Sequence, residues 1–204
     1  TSGEGIDLSD ISLTGAQEQL IRSVCATGKP VVVVLVAGKP FAIPYIKEKV
    51  PAILAQWYAG EQAGNSIADI LFGKVNPSGK LPFSFPQSTG HLPAYYNYLP
   101  TDKGYYKEPG TYTSPGRDYV FSSPAPLWTF GHGLSYTRFE YVQATTDKTS
   151  YQPHDTIRIS VKVKNSGKLA GKEVVQIYIH DVVSTVMTPV KQLKGFKKIE
   201  LQPG

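Results

Sequence analysis

The sequence predicts an α/β sandwich followed by an antiparallel β-domain. The first indication is the run from Val31 to Val36, whose apolar residues do not alternate with polar ones, as in a parallel strand covered on both faces. The second is a period of two from Ile157 onward, which is typical of half-buried antiparallel strands. Between them, residues 74–136 are rich in Pro, Gly and Tyr and show little periodicity. The predicted units are an α/β sandwich domain over 1–90, a connector over 91–136 and a β-domain over 137–204.

Helices and strands alternate in the first unit. Thr14 and Gln17 have the spacing of a capping box, which predicts a helix that Gly28 ends. A short helix over 44–49 is expected to lead into a second strand over 52–57. The helix after it has an apolar stripe, and Gly73 ends it. That stripe consists of Ala63, Ile67, Ile70 and Leu71. Helix, strand, helix, strand and helix in this order are the pattern of an α/β sandwich.

The connector and the β-domain have different signatures. Leu127 to Phe130 is an apolar run that predicts ordered packing within the connector. Alternation over 157–163, a turn at 165–167 and renewed alternation over 175–179 predict β-strands, and 190–201 should add one or two more. A seven-stranded sandwich takes about 100 residues. We therefore expect the sandwich to be incomplete, with unpaired strand edges.

Composition and motifs exclude several functional classes. The formal net charge is +5, but the lysines alternate with apolar residues, which indicates a solvated sheet face and no nucleic-acid partner. No apolar run approaches the ~18 residues of a membrane span. Cys25 is the single cysteine and the four histidines lie far apart, so no metal site is predicted. Neither GxxxxGK[ST] nor GxGxxG occurs, and no cofactor is predicted.

Glu4 is the candidate for acid–base chemistry. It lies between Gly3 and Gly5, and flanking glycines let a backbone approach a ligand closely. A glutamate that acts as a general acid needs a raised pKa, which an enclosed site provides. Spacing alone leaves two readings open, a solvated loop residue and a catalytic acid. Glycoside hydrolysis would also need a second carboxylate, and the sequence offers no convincing partner.

Five segments together resemble glycoside hydrolase family 3, the β-glucosidases and β-xylosidases. In chain order they read LVAGKP, AILAQWYAGEQAGNSIADILFGKVNPSGKLPFSFP, LPAYYNY, PLWTFGHGLSYTRFEY and PVKQLKGFKKIEL. The resemblance covers essentially the whole chain. It implies the C-terminal portion of an enzyme that begins with a (β/α)8 barrel. This chain would supply the second half of the α/β sandwich and a truncated fibronectin type III-like domain.

The resemblance also implies a retaining, exo-acting β-glycosidase that removes terminal β-D-glucosyl or β-D-xylosyl residues. The stretch SGEGIDLSDISLTGAQ is similar to the loop that carries the family's general acid/base, and Glu4 matches that residue. Leu8 stands where arginine is common, and Thr14 where proline is common. The nucleophilic aspartate would lie on the barrel, outside this chain, and we expect the chain alone to be inactive.

Trp57 and Tyr58 follow the second predicted strand, at the edge that faces the cleft in the family. Stacking on a sugar and packing in the core are both open for them. The implied partners are the barrel and a glycoside or oligosaccharide substrate, and the family suggests a periplasmic or secreted location. The alternative function is a non-catalytic glycan-binding or structural module. Saturable binding of glucose, xylose or cello-oligosaccharides by this chain alone would favour that module.

Overall fold

The computed structural model describes residues 5–100, 111–114, 119 and 121–204. In chain order the elements are α1 (Gln17–Cys25), β1 (Val32–Leu35), α2 (Pro44–Lys49), β2 (Ala52–Ala55), α3 (Ala63–Leu71), a 3-10 turn (Thr89–His91), β3 (Phe139–Thr146), β4 (Ile159–Asn165), β5 (Gly171–Ile179) and β6 (Gln192–Leu201). The predicted order of helices and strands in the first unit is confirmed. The second strand is shorter than predicted and ends at Ala55.

Strands β1 and β2 pair in parallel, with Val32 opposite Ala52. Helix α2 provides the crossover that a parallel pair requires. The expectation that β1 is buried on both faces is wrong, because Val32 is 50% exposed. Val33 and Leu35 pack in the apolar core, whereas Val32, on the opposite face, is half exposed.

Glycines end two helices, as the sequence predicts. Gly28 and Gly73 have φ angles of +72° and +76°, and their N–H groups bond to the carbonyls of Cys25 and Ile70. The predicted capping box at the start of α1 is wrong. Ala16 is the N-cap, and the Thr14 hydroxyl instead accepts a bond from the side-chain amide of Gln17 at 3.1 Å. Gly15 turns the backbone with φ +61°, which separates Thr14 from the helix.

The connector supplies part of the core of the α/β domain. Ile43 and Ile46 from the α2 region are fully buried, and Phe85 and Leu127 pack with them. Phe85 N–H bonds to the Trp128 carbonyl at 2.8 Å, and Leu127 N–H bonds to the Phe85 carbonyl at 2.7 Å. The ordered packing predicted for Leu127 to Phe130 is therefore confirmed.

The β-domain consists of two antiparallel pairs, β3 with β4 and β5 with β6. β4 begins at Ile159, two residues later than the alternation suggests, and the run over 190–201 forms one strand. Asn165 is buried at the end of β4, and its side-chain amide donates to the carbonyls of Leu169 and Leu201. Because Leu201 ends β6, this side chain links the two strand pairs.

The α/β domain and the β-domain meet in a contact rich in polar bonds. Lys80 forms an ion pair with Glu173 at 3.1 Å, and both side chains are largely buried, with 18% and 10% of their surface exposed. Tyr141 donates its hydroxyl hydrogen to Glu173 at 3.0 Å. Asn76 donates to the Ala170 carbonyl and accepts from the Tyr136 N–H. We call this contact the domain joint.

Candidate active-site edge

Glu4 lies outside the described residues, and the structure describes its loop from Gly5 onward. Gly5 has φ +72°, a backbone conformation that favours glycine. A Cβ at this position would meet no atom within 4 Å. Ile6 and Asp7 are exposed.

The base of this loop is held by bonds to two distant parts of the chain, the segment after β1 and the Thr89 turn. The Lys39 ammonium donates to the Ile6 carbonyl at 3.4 Å. Ile11 N–H donates to the Thr89 hydroxyl at 3.2 Å, and the Ile11 carbonyl accepts from Ala42 N–H at 2.9 Å. Ile11 is buried, so the loop enters the folded domain at this residue.

Asp10 is hydrogen bonded at the same position. Its carboxylate accepts the Ser12 N–H at 2.8 Å and the Ser12 hydroxyl at 2.9 Å, and Thr89 donates to it at 3.3 Å. These bonds lower the pKa of Asp10, the backbone N–H of Ser12 having the largest effect. Asp10 is therefore a carboxylate at neutral pH, and it accepts bonds without supplying a proton.

Trp57 and Tyr58 follow β2 at a sharp corner. Trp57 has φ +44°, which is rare for a bulky side chain, and its ring packs edge-on against Phe83 with the centroids 5.0 Å apart. Gln56 fixes the corner, because its N–H bonds to the Leu35 carbonyl and its side chain donates to the Ala63 carbonyl. Tyr58 is 65% exposed. The corner thus places one aromatic ring in the core and the next at the surface.

The Glu4 loop and the Trp57–Tyr58 corner belong to one edge of the sheet. Lys39 comes shortly after β1 and Trp57 shortly after β2, and the two strands are parallel. Ligands of open α/β sheets bind outside the carboxyl ends of the strands. The structure therefore brings the base of the Glu4 loop and Tyr58 to the edge where a substrate cleft is expected. We call it the carboxyl edge.

Within the described part of the chain, no three His, Cys, Asp or Glu side chains gather as metal ligands. His91 is buried, and both of its ring nitrogens have partners within the protein. Nδ1 accepts from Gln87 N–H at 3.1 Å, and Nε2 lies 2.8 Å from the Pro124 carbonyl. Its Nε2 therefore donates to that carbonyl. No helix among the described residues has the length and apolar character of a membrane span.

The sequence did not single out Lys39 or Thr89 as site residues. Lys39 lies in the LVAGKP segment, but a lysine before a proline carries no signal for a bond to a carbonyl 33 positions earlier. Thr89 is one of several polar residues in a turn. Only the folded chain brings its hydroxyl to Ile11, 78 positions away.

Comparisons with known proteins identify two matching domain families. Residues 1–136 match the glycosyl hydrolase family 3 C-terminal domain, and residues 173–204 match a fibronectin type III-like domain. A β-xylosidase of Formosa agariphila is 44% identical over all of this chain, which covers 27% of that protein. A periplasmic β-glucosidase of Salmonella typhimurium is 45% identical over 98% of the chain, which covers 26% of that protein.

Solved structures agree with the sequence relatives. The β-glucosidase of Listeria innocua in complex with glucose superposes with a TM-score of 0.85 at 40% identity, over 99% of this chain and 28% of that one. A β-glucosidase of Erythrobacter marinus superposes with a TM-score of 0.87 at 43% identity, over 100% of this chain and 25% of that one. The chain spans about a quarter of the length of these relatives. The predicted fold class is confirmed, and the chain belongs to glycoside hydrolase family 3.

Proposed function

We propose that this chain acts as the C-terminal part of a retaining, exo-acting β-glycosidase that removes terminal β-D-glucosyl or β-D-xylosyl residues. One observation carries the proposal: the base of the Glu4 loop and the exposed Tyr58 lie at the same carboxyl edge. The relatives named β-glucosidase and β-xylosidase support this substrate class. Because the chain spans a quarter of their length, the remaining machinery belongs to the rest of the enzyme.

In this proposal Glu4 is the general acid/base. It protonates the glycosidic oxygen as the bond to the leaving group breaks, and it later removes a proton from the water that releases the sugar. The nucleophile is an aspartate on a (β/α)8 barrel outside this chain, which forms the covalent glycosyl intermediate. The barrel is therefore the partner of the carboxyl edge, and a glycoside or oligosaccharide binds between them.

Tyr58 provides a contact for the substrate on the acid/base side of the cleft. An exposed aromatic ring offers a flat apolar face to a sugar ring, and this site needs no cofactor. Trp57, the other aromatic candidate, has its ring against Phe83, so it acts on the substrate through the position of Tyr58.

We also propose a periplasmic or secreted location for the enzyme. The Salmonella relative carries the word periplasmic in its name. Exo-acting glycosidases meet oligosaccharides where these arise, and that is often outside the cytoplasm. Fractionation of cells that express the full-length enzyme, with activity measured in each fraction, tests the location. Activity confined to the cytoplasmic fraction would contradict it.

The role of Glu4 is tested in the full-length enzyme with Glu4→Gln and Glu4→Ala. We expect kcat/KM for a phenyl glycoside to fall roughly 10²- to 10⁴-fold, because phenolate leaves slowly without a proton. A 2,4-dinitrophenyl glycoside has a leaving group that needs no proton, so its kcat/KM should change little. Azide should accelerate Glu4→Ala and give a glycosyl azide of retained configuration. Glu140→Gln, an exposed glutamate in β3, is the matched control.

Two outcomes would contradict the proposal. Normal hydrolysis of the phenyl glycoside by Glu4→Gln would show that another residue is the acid. Turnover by the 204-residue chain alone would show that no nucleophile from a barrel is needed. If the chain alone binds cello-oligosaccharides and the full-length enzyme shows no hydrolysis, the alternative of a non-catalytic glycan-binding module is correct.

A further inference from the structure

We infer that Thr89, together with Asp10, positions the loop that carries the acid/base, so that Thr89 is a positioning residue for proton transfer. The inference rests on the proposed function of Glu4. Thr89 lies at the end of the first unit, far from Glu4 in sequence, and its hydroxyl bonds to the base of the loop.

The Thr89 hydroxyl makes two bonds to consecutive residues. It accepts the Ile11 N–H at 3.2 Å and donates its hydrogen to the Asp10 carboxylate at 3.3 Å. One hydroxyl thus satisfies a backbone donor and an ionised acceptor at the same time. A bond that involves a charged group is stronger than one between neutral groups. Both bonds join the loop base to the Thr89 turn, across 78 and 79 positions.

The turn that carries Thr89 is itself fixed. His91, two residues later, is buried and uses both ring nitrogens to hold Gln87 N–H and the Pro124 carbonyl. The Gln87 side chain donates to the Ala125 carbonyl at 2.8 Å, and the Tyr119 ring packs edge-on against the His91 ring at 5.0 Å. The turn that presents the Thr89 hydroxyl is therefore held in place by hydrogen bonds on both sides of Thr89.

The anchor lies close to the reactive group along the chain. Glu4 and Asp10 are six positions apart, which limits their separation to about 20 Å even for an extended chain. Without the anchor the described tethers on this loop are Lys39 at Ile6 and Ala42 at Ile11. A misplacement of about 1 Å can cost roughly 10²-fold in rate. The loss of the Thr89 hydroxyl should thus reduce proton transfer without unfolding the domain.

The test uses Thr89→Val in the full-length enzyme, since valine keeps the shape of threonine and lacks the hydroxyl. We expect kcat/KM for the phenyl glycoside to fall roughly 10-fold, and kcat/KM for the 2,4-dinitrophenyl glycoside to fall less than about 2-fold. Thr89→Ser retains the hydroxyl and should restore most of the activity. Ser88→Ala changes the exposed neighbouring residue in the same turn and should have no effect.

A second variant keeps the inference testable if Thr89→Val is poorly folded. Asp10→Asn removes the charge that receives the Thr89 bond, and should give the same selective loss on the phenyl glycoside. The double variant should lose no more than Thr89→Val alone, because Thr89→Val already removes the bond to Asp10. An equal loss on both glycosides, or a fully additive double variant, would overturn the inference.

The two proposals fail in different ways. If Glu4→Gln hydrolyses the phenyl glycoside normally, the assignment of the acid is wrong and Thr89 has nothing to position. If Glu4→Gln shows the selective loss while Thr89→Val and Asp10→Asn keep normal kcat/KM for both glycosides, only the positioning role is wrong. Melting temperatures of all variants should stay within a few degrees of the parent enzyme.

Discussion

The domain joint and the carboxyl edge differ in how far their polar side chains are buried. At the joint, Lys80 and Glu173 form a largely buried ion pair, and the half-exposed Tyr141 donates its hydroxyl hydrogen to Glu173. At the edge, Asp10 and Tyr58 are exposed, and the loop base is held by the Lys39 ammonium, the Thr89 hydroxyl and the Ala42 N–H. The joint is therefore stabilised by buried polar contacts. The loop at the edge is held by a few exposed or partly exposed hydrogen bonds, which is common for functional loops.

This difference predicts which substitutions should change stability and which should change activity. Removing one member of a buried ion pair leaves an uncompensated charge, which strongly destabilises the folded state. Removing a surface hydroxyl that holds a loop costs little free energy of unfolding, because water replaces the bond. We therefore expect variants at the joint to change stability and variants at the edge to change rate or affinity.

The largest expected effect is that of Lys80→Met at the joint. It leaves the Glu173 carboxylate buried without its cation, and we expect a loss of about 3 kcal/mol in the free energy of unfolding. Lys172→Met is the matched control, because its partner Glu200 lies 3.6 Å away and both side chains are more than half exposed. The control should cost less than about 0.5 kcal/mol. Urea titrations of both variants measure the difference, and equal losses would contradict a buried role for Lys80.

Gly133→Ala should have the second largest effect. A Cβ at Gly133 would lie 2.1 Å from the Gly79 carbonyl oxygen, and a backbone atom cannot move aside cheaply. Overpacking of this kind costs about 1–3 kcal/mol. Gly79→Ala, in the other segment of the same contact, would meet no atom within 4 Å and is the control. Thermal unfolding of both proteins measures the cost. A melting temperature of Gly133→Ala equal to that of Gly79→Ala would show that the backbone relaxes freely.

The sequence predicted the secondary-structure elements whose ends are set by their own residues. Helix α2 has the predicted bounds, since Pro44 is favourable at the first helical position, and Gly73 ends α3 because it adopts φ +76°. The exposure of Val32 was missed, because coverage of a strand depends on neighbours that the strand's own residues do not specify. The capping box at Thr14 failed because Gly15 changes the backbone direction.

The candidate site was predictable only in part. Glu4 is a candidate through its resemblance to a family loop, and Tyr58 through its place after a strand. The Thr89 anchor depends on bonds to residues 78 and 79 positions away, which no local pattern encodes. The choice between stacking on a sugar and packing in the core for Trp57 also needed the fold, because the contact with Phe83 forms between separate segments.

The two aromatic residues of the corner sharpen the comparison within the edge itself. Tyr58→Ala should raise KM for an oligosaccharide about 3- to 10-fold, about 1 kcal/mol, by removing an exposed ring, and should leave the melting temperature unchanged. Trp57→Phe keeps an aromatic ring but shrinks its contact with Phe83, so it should lower the melting temperature more than it changes KM. Steady-state kinetics and thermal unfolding of the full-length enzyme separate these effects. The reverse pattern would assign the substrate contact to Trp57.

The smallest expected effect is an alkaline loss of stability at the joint. Burial, followed by the hydrogen bond to Glu173 and that carboxylate's charge, raises the pKa of Tyr141 to about 12, whereas an unfolded tyrosine titrates near 10. Folding therefore favours the protonated phenol. Its contribution is fully present below pH 10 and is lost as the pH rises from about 10 to 12.

Tyr141→Phe isolates this effect, because all other titrating groups are common to both proteins. The parent should be more stable than the variant by a constant amount between pH 7 and 9, and this difference should shrink between pH 10 and 12. Tyr95→Phe, which changes an exposed tyrosine of the connector, is the control. Urea titrations across this pH range provide the measurement. A difference that stays constant up to pH 12 would mean that the phenol hydrogen is not held by Glu173, and that Lys80 alone compensates the buried carboxylate.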